Sequence, residues 1–197
     1  TKAVAQNVHN IIIAEEDSEL HIITGCVAAH AADALHVGVS EFYVKKNAKI
    51  TFTMVHNWTS SVEVRPRTGI VIEENGTFIS NYICMSPVKN LQTYPTAHCV
   101  GKDASATFQS ILYAKGDSKM DVGSRAVLAA KGAKAEIISR AAATDKASIV
   151  ARGDLRGEAH GVKGHLECRG LLLSDAASIA SIPELNARAH DVELSHE

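Results

Sequence analysis

The chain has 197 residues, with 20 Lys+Arg against 22 Asp+Glu and a formal net charge of -2. With 46% hydrophobic and 21% charged residues it is globular in composition, which excludes a disordered or collagen-like chain. The near-neutral balance argues against nucleic acid as a partner, and no apolar run approaches the roughly eighteen residues that would cross a membrane.

Aromatic residues are scarce at 5%, while Ala, Ile, Val, Ser and Gly are plentiful, so the core must come from closely stacked layers of small and β-branched side chains. The length suits one domain, taken as residues 1–197. In chain order the first element is ELHIITG after Ser18. KITFTMV follows Ala48, and TFISNYI follows Gly76. Beyond Ala104 come further alternating runs, among them AEIISRA from Ala135 and ASIVARG from Ala147. Each reads as a short strand entered through a turn rich in Asp, Asn, Gly or Lys. The stretch Val27–Ala34 is the best helical candidate, and its shortness makes it a loop or a single turn.

The small residues that open these strands recur at fixed steps. From Ala104 through Ser118, Ala133, Ala147 and Val162 to Ala176 the successive steps are 14, 15, 14, 15 and 14. Ser18, Ala48, Gly76 and Ala104 keep a doubled step of 30, 28 and 28. A solenoid and an antiparallel sandwich both place short strands at even spacing. The persistence of the step favours the solenoid, since an Asn-Gly hairpin signal occurs only at Asn75-Gly76. The expected fold is all-β, a parallel β-helix with coils of about 14–15 residues.

Four cysteines (Cys26, Cys84, Cys99 and Cys168) show no CxxC pair and no zinc spacing. The opening TKAVAQNVHN has no secretory pattern, so free thiols and a cytoplasmic setting are expected, in what reads as a fragment of a longer protein. Cys84 and Cys99 read as small buried hydrophobes. Cys168 lies between Glu167 and Arg169, although strand neighbours point to the opposite face. Ser195-His196-Glu197 sets an imidazole beside a carboxylate, and ten histidines are enough for metal chemistry. With that coil length, Cys168 and Glu197 fall two coils apart on one face, about 9–10 Å. Trp58, the sole tryptophan, reads as core. No GxSxG, P-loop or GxGxxG motif is present, and no carboxylate pair suggests a glycosidase.

The terminal run CRGLLLSDAASIASIPELNARAHDVELSHE resembles the end of the SufB/SufD family of iron–sulfur cluster assembly proteins. HIITGC, the V-H-N-W run and VIEENGTF resemble family segments in the same order. This resemblance spans essentially the whole chain. It implies a right-handed parallel β-helix that acts as a scaffold and not as an enzyme. It also implies terminal helices outside this stretch and a dimer made through C-terminal coils with a SufB/SufD-type paralogue or a second copy. A SufC-type ABC ATPase and a sulfur donor protein are the other implied partners, and a transient iron–sulfur cluster with its iron is the cargo.

Carried over residue by residue, Cys168 resembles the proposed cluster ligand of SufB. Glu197 resembles the second glutamate of its E-H-E run, and His196 the histidine shared by both paralogues. Cys26 resembles the cysteine that accepts sulfur at the far end of a tunnel, and Trp58 the tryptophan lining it. Here His56 replaces the family's glutamine, and an expected lysine is lost near Pro66, with Arg65 and Arg67 beside it. Ser195-His196 reads as SufD, while Cys168 and Glu197 read as SufB; together they favour a SufB-like chain. The alternatives are a SufD-like structural subunit with inert Cys168 and, on fold alone, a polysaccharide-acting β-helix enzyme.

Overall fold

The structure, a computed structural model, describes residues 4–27 and 34–197. In chain order the strands begin with β1 (Val4–Ala14), β2 (Glu19–Val27), β3 (Ala34–Val44), β4 (Lys49–Asn57), β5 (Val62–Val64) and β6 (Arg67–Ile72). Next come β7 (Thr77–Cys84), β8 (Asn90–Thr93), β9 (Thr96–Cys99), β10 (Ser105–Ala114) and β11 (Lys119–Leu128). The last are β12 (Lys134–Ala143), β13 (Ser148–Gly157), β14 (Lys163–Leu172), β15 (Ser178–Ala187) and β16 (Glu193–His196). The described residues contain no helix. The helical candidate Val27–Ala34 has Val27 and Ala34 in strands, and its interior lies outside the described residues.

Every pairing is parallel. The chain alternates between two sheets, one running β2-β4-β7-β10-β12-β14-β16 and the other built from β1 and its stacked equivalents. This is a parallel β-solenoid. The period read in the sequence is half a coil. Lys119 pairs with Ser148, Thr77 with Ser105 and Val4 with Ala34, steps of 29, 28 and 30. A full coil therefore takes two of the steps seen in the C-terminal half, and the expected coil length is corrected to twice its value. The half-step was visible because both corners of the later coils carry the same turn signature.

At one corner Asp17, Asn47, Asn75, Asp103, Gly132 and Gly161 all have positive φ; Gly116 and Asp145 do so at the other. Asn, Asp and Gly are the residues that tolerate this left-handed conformation. The corners stack: the Asn47 N–H donates to the Glu74 carbonyl (2.9 Å) and the Asn75 N–H to that of Lys102 (2.9 Å). Their side chains add a ladder, Asn75 Nδ2 to Asn47 Oδ1 (3.1 Å) and Asn47 Nδ2 to Asp17 Oδ1 (2.8 Å). Asn75-Gly76 is thus a coil corner and not a hairpin.

The small residue after each corner points inward. Ala48, Ala104 and Ala133 are buried in one column and Ser118 and Ala147 in the other. The second column continues at Ala177, one residue past the centre expected at Ala176. Two apolar clusters fill the ends of the flattened cross-section, one around Phe42, Ile70 and Phe78, the other around Val64, Leu91 and Ile149. Phe78 sits between Phe42 (ring centroids 5.1 Å apart) and Phe108 (6.2 Å). Phe78→Ala opens a cavity that neighbouring coils, pinned by their ladders, cannot close. It is expected to cost about 3–5 kcal/mol in denaturant unfolding, well above the cost of Ile23→Ala at an exposed strand position.

Candidate functional site

Side chains alternate along each strand, and parallel pairing repeats the same face coil after coil. On the inner face of the β2-containing sheet, one register column reads Thr24, Met54, Tyr82, Ser110, Ser139 and Cys168. The next inner column begins Cys26, His56 and Cys84. Polar side chains therefore run along the axis between the two apolar clusters. Ser110 Oγ lies 3.2 Å from Ser139 Oγ.

A cavity of about 90 Å3 follows this seam, lined by His56, Tyr82, Ser110 and Ser139 from one sheet and by Pro66 and Pro95 from the other. That volume accommodates several water-sized molecules. The prolines explain its position. Lacking an N–H, Pro66 and Pro95 interrupt the opposite sheet between β5 and β6 and between β8 and β9. At the β1 end an open pocket of about 530 Å3 contains Cys26 and shares His36, Phe52 and Met54 with the cavity. At the far end the cavity reaches Ser139, and Cys168 is the next residue of that column. Cys26 and Cys168 stand five strand steps apart, about 24 Å along the axis.

Around Cys26 the structure gathers an aromatic group in which Trp58 and His56 are joined by His36 and Tyr82. The Trp58 ring centroid is 5.1 Å from that of His36 and 5.0 Å from that of His56. His56 Nδ1 is 2.8 Å from the Tyr82 hydroxyl, and His36 Nδ1 is 2.9 Å from Gln6 Oε1. Trp58 is core, as its lone occurrence suggested, and belongs to the apolar cluster against which Cys26 packs. Burial, then His36, push the His56 pKa down to about 4, and burial lowers that of His36. Burial holds the Tyr82 hydroxyl well above its usual range, so it stays protonated. Burial also raises the Cys26 thiol.

The thiols divide as their context suggested. Cys84 and Cys99 are wholly buried, with burial pushing them up to about 11 and about 12. Cys168 is half-buried and faces the interior. Burial raises its pKa, while a hydrogen bond with Ser181 and the charge of Arg140 act the other way.

The structure separates Cys168 from Glu197. The Cys168 N–H donates to the Glu197 carbonyl (3.1 Å) and the Glu197 N–H to that of Leu166 (2.9 Å), which sets Glu197 beside Glu167. The two residues lie on adjacent coils and opposite faces, not two coils apart on one face. The cause is arithmetic: the last coil runs from Lys163 to Glu193, a step of 30, and the step of 29 from Cys168 to Glu197 falls one short. Outside, Glu167 is held by Arg140 (2.9 Å) and Arg169, and Arg169 Nη2 reaches Glu197 Oε1 at 3.3 Å. His196 pairs with Leu166 and so shares the inner face with Cys168, about 8 Å away between Cα atoms. No group of three His, Cys, Asp or Glu side chains suited to a metal ion converges among the described residues. Among them, no helix is long and apolar enough to cross a membrane.

Sequence reasoning missed His36, Tyr82 and the Ser110–Ser139 pair. A signal for the serines existed in the step of 29 that they share with Cys168. The fold is thus a parallel β-solenoid with an interior polar seam, Cys26 in the pocket at one end and Cys168 one coil past the cavity at the other. Residues 1–197 match the family described as SUF system FeS cluster assembly, SufBD core domain. The chain belongs to the SufBD family of iron–sulfur cluster assembly proteins. It is 58% identical over 195 residues to an iron–sulfur cluster assembly SufBD family protein of Methanothermobacter thermautotrophicus (strain Winter), covering 98% of this chain and 48% of that one. A SufBD family protein of Archaeoglobus fulgidus is 57% identical over 196 residues, covering 100% and 53%. The chain thus spans about half the length of these relatives.

His56 gives a direct handle on the buried group. Its folded pKa of about 4 lies below the unfolded value near 6.5, so protons favour the unfolded chain. Its neutral state contributes fully above about pH 6.5, and the contribution is lost as pH falls toward 4. Lowering the pH from about 7 to about 4.5 should remove about 2–3 kcal/mol more stability from wild type than from His56→Gln. Equal losses would show that His56 is not buried neutral.

Proposed function

We propose that this chain is a non-enzymatic, SufB-like scaffold on which sulfur entering at Cys26 meets iron at Cys168. The observation that carries this reading is the interior seam. Two half-buried thiols stand near opposite ends of a polar, cavity-bearing seam inside an otherwise apolar solenoid, Cys168 in the Ser110–Ser139 column and Cys26 in the column beside it. Enclosure suits sulfane sulfur, which solvent thiols strip from exposed cysteines.

The nascent iron–sulfur cluster is cargo, and this chain fits it only in part. Cys168 supplies a soft thiolate and His196 an imidazole on one face, fewer protein ligands than a cluster takes. The remainder comes from a paralogue or second copy that meets the C-terminal coils. Glu197, on the outer face, reaches iron only together with that second subunit. A sulfur donor protein docks at the open pocket beside Cys26. The SufC-type ABC ATPase acts through parts of the protein beyond this domain, and the assembly works in the cytoplasm. The competing SufD-like reading, a structural subunit with Cys168 inert, draws on one observation: burial keeps the Cys168 thiol protonated.

Anaerobic reconstitution of the full-length protein with iron and free sulfide separates these readings. Visible absorption and EPR should show a cluster in wild type and lose it in Cys168→Ser. Cys26→Ser should retain it, because free sulfide bypasses the entry thiol. Equal clusters in wild type and Cys168→Ser would move the chain to the SufD-like role.

A further inference from the structure

The two sheets present different outer faces. On the outer side of β11 and β13 stand Asp121, Arg125, Arg152, Asp154 and Arg156, tied into ion pairs. The outer side of β4, β7 and β10 is the reverse. Every outward side chain from Thr51 to Val55, from Ile79 to Ile83 and from Thr107 to Ile111 is uncharged. Parallel register stacks Val55, Ile83 and Ile111 into one apolar column. Val55 is 39% and Ile111 48% exposed. The column ends at bare backbone on one side, Gly25, and at a charge on the other, Arg140.

Scattered apolar side chains are ordinary on a surface, whereas a continuous apolar column on a neutral face marks a contact. Parallel sheets are characteristically covered on both faces, and helices are the usual cover. The solenoid interior covers one face of β4, β7 and β10, and among the described residues the other stays open at Val55 and Ile111.

Two observations say what covers it. This chain spans 48% and 53% of the two relatives, so each of those proteins carries about as many residues again outside this domain. The chain also enters the structure beside this face. Val4 pairs with Ala34, at the corner where β2 and β4 end, one to three strand steps from the column, about 5–14 Å along the axis. At the other end, β16 lies three to five strand steps away, about 14–24 Å. The neutrality of the face fits a cover from the same polypeptide, which is tethered and needs no steering. A diffusing partner draws its rate and orientation from complementary charge.

We propose that in the full-length protein the segment preceding residue 1 lies across β4, β7 and β10 as an amphipathic helix, its apolar side on Val55, Ile83 and Ile111. A helix of about ten residues, some 15 Å long, spans the column. This docking goes beyond the sulfur and iron roles argued above and depends on neither.

The full-length protein is used for the test. Ile111 is replaced by the photo-crosslinking residue p-benzoylphenylalanine, unlabelled and 15N-labelled proteins are mixed in equal amounts, and crosslinks formed on irradiation are mapped by mass spectrometry. The expected crosslink joins β10 to a peptide preceding residue 1, both in the same isotopic form. A crosslink of mixed isotopic form would give the face to a second copy and overturn the proposal. So would a crosslink to a peptide following residue 197 or within residues 1–197, or none. Amide hydrogen exchange supplies a separate reading. Ile111→Lys sets a charge under the helix, so exchange in the preceding segment should speed about tenfold or more while β12 keeps its wild-type rates. Equal exchange of that segment in wild type and Ile111→Lys overturns the proposal.

Discussion

Backbone hydrogen bonds in this protein run along the solenoid axis, from each coil to the next in parallel register. That one constraint organises everything else. It brings positions one coil apart in sequence into columns with a spacing of about 4.8 Å, so a side chain's neighbours are the same position one coil up and one coil down. Apolar columns build the two core clusters. A polar column between them has nowhere to go but along the axis, and it becomes a seam. Its residues never meet in sequence, and five strand steps carry the seam from the Cys26 end to the Cys168 end.

The same constraint gives the two faces of a sheet separate chemistries. Inside, Cys168 has Ser139 below it, Ser181 across from it and low polarity around it. One residue away, outside, Glu167 is clasped by Arg140 and Arg169. That outer ionic cluster ties β12 to β14 while leaving the inner thiol uncharged. The seam widens where Pro66 and Pro95 break the opposing sheet. A ladder defect that would weaken an ordinary sheet here gives a cavity, and stacked corners on either side hold the coils in place.

Much of this was legible in the sequence. Asp, Asn and Gly at corners and small residues after them announced a solenoid, because the left-handed corner and the close approach of coils each demand those residues. The coil length was misread because the later coils carry the turn signature at both corners. The earlier ones lack it near Val62 and Val88, and their doubled step was the true coil. The placement of Glu197 failed for a finer reason. Coil length varies by a residue or two, and a slip of one exchanges inside for outside. His56 and Trp58 stood out in the V-H-N-W run, but Gln6, His36 and Tyr82, which complete the chamber around Cys26, are scattered along the chain without a local motif, and only the register brings them together.

The central claim is that Cys26 and Cys168 communicate through the protein interior. The direct measurement loads Cys26 with isotopically labelled persulfide in the presence of unlabelled sulfide and follows the label into the cluster formed at Cys168. Wild type should deliver mostly labelled sulfur. Ser139→Phe, which fills the seam one coil before Cys168, should reduce the labelled fraction toward that of free sulfide while still permitting a cluster. A labelled fraction unchanged by Ser139→Phe, or diluted to the free-sulfide value already in wild type, would contradict an interior route.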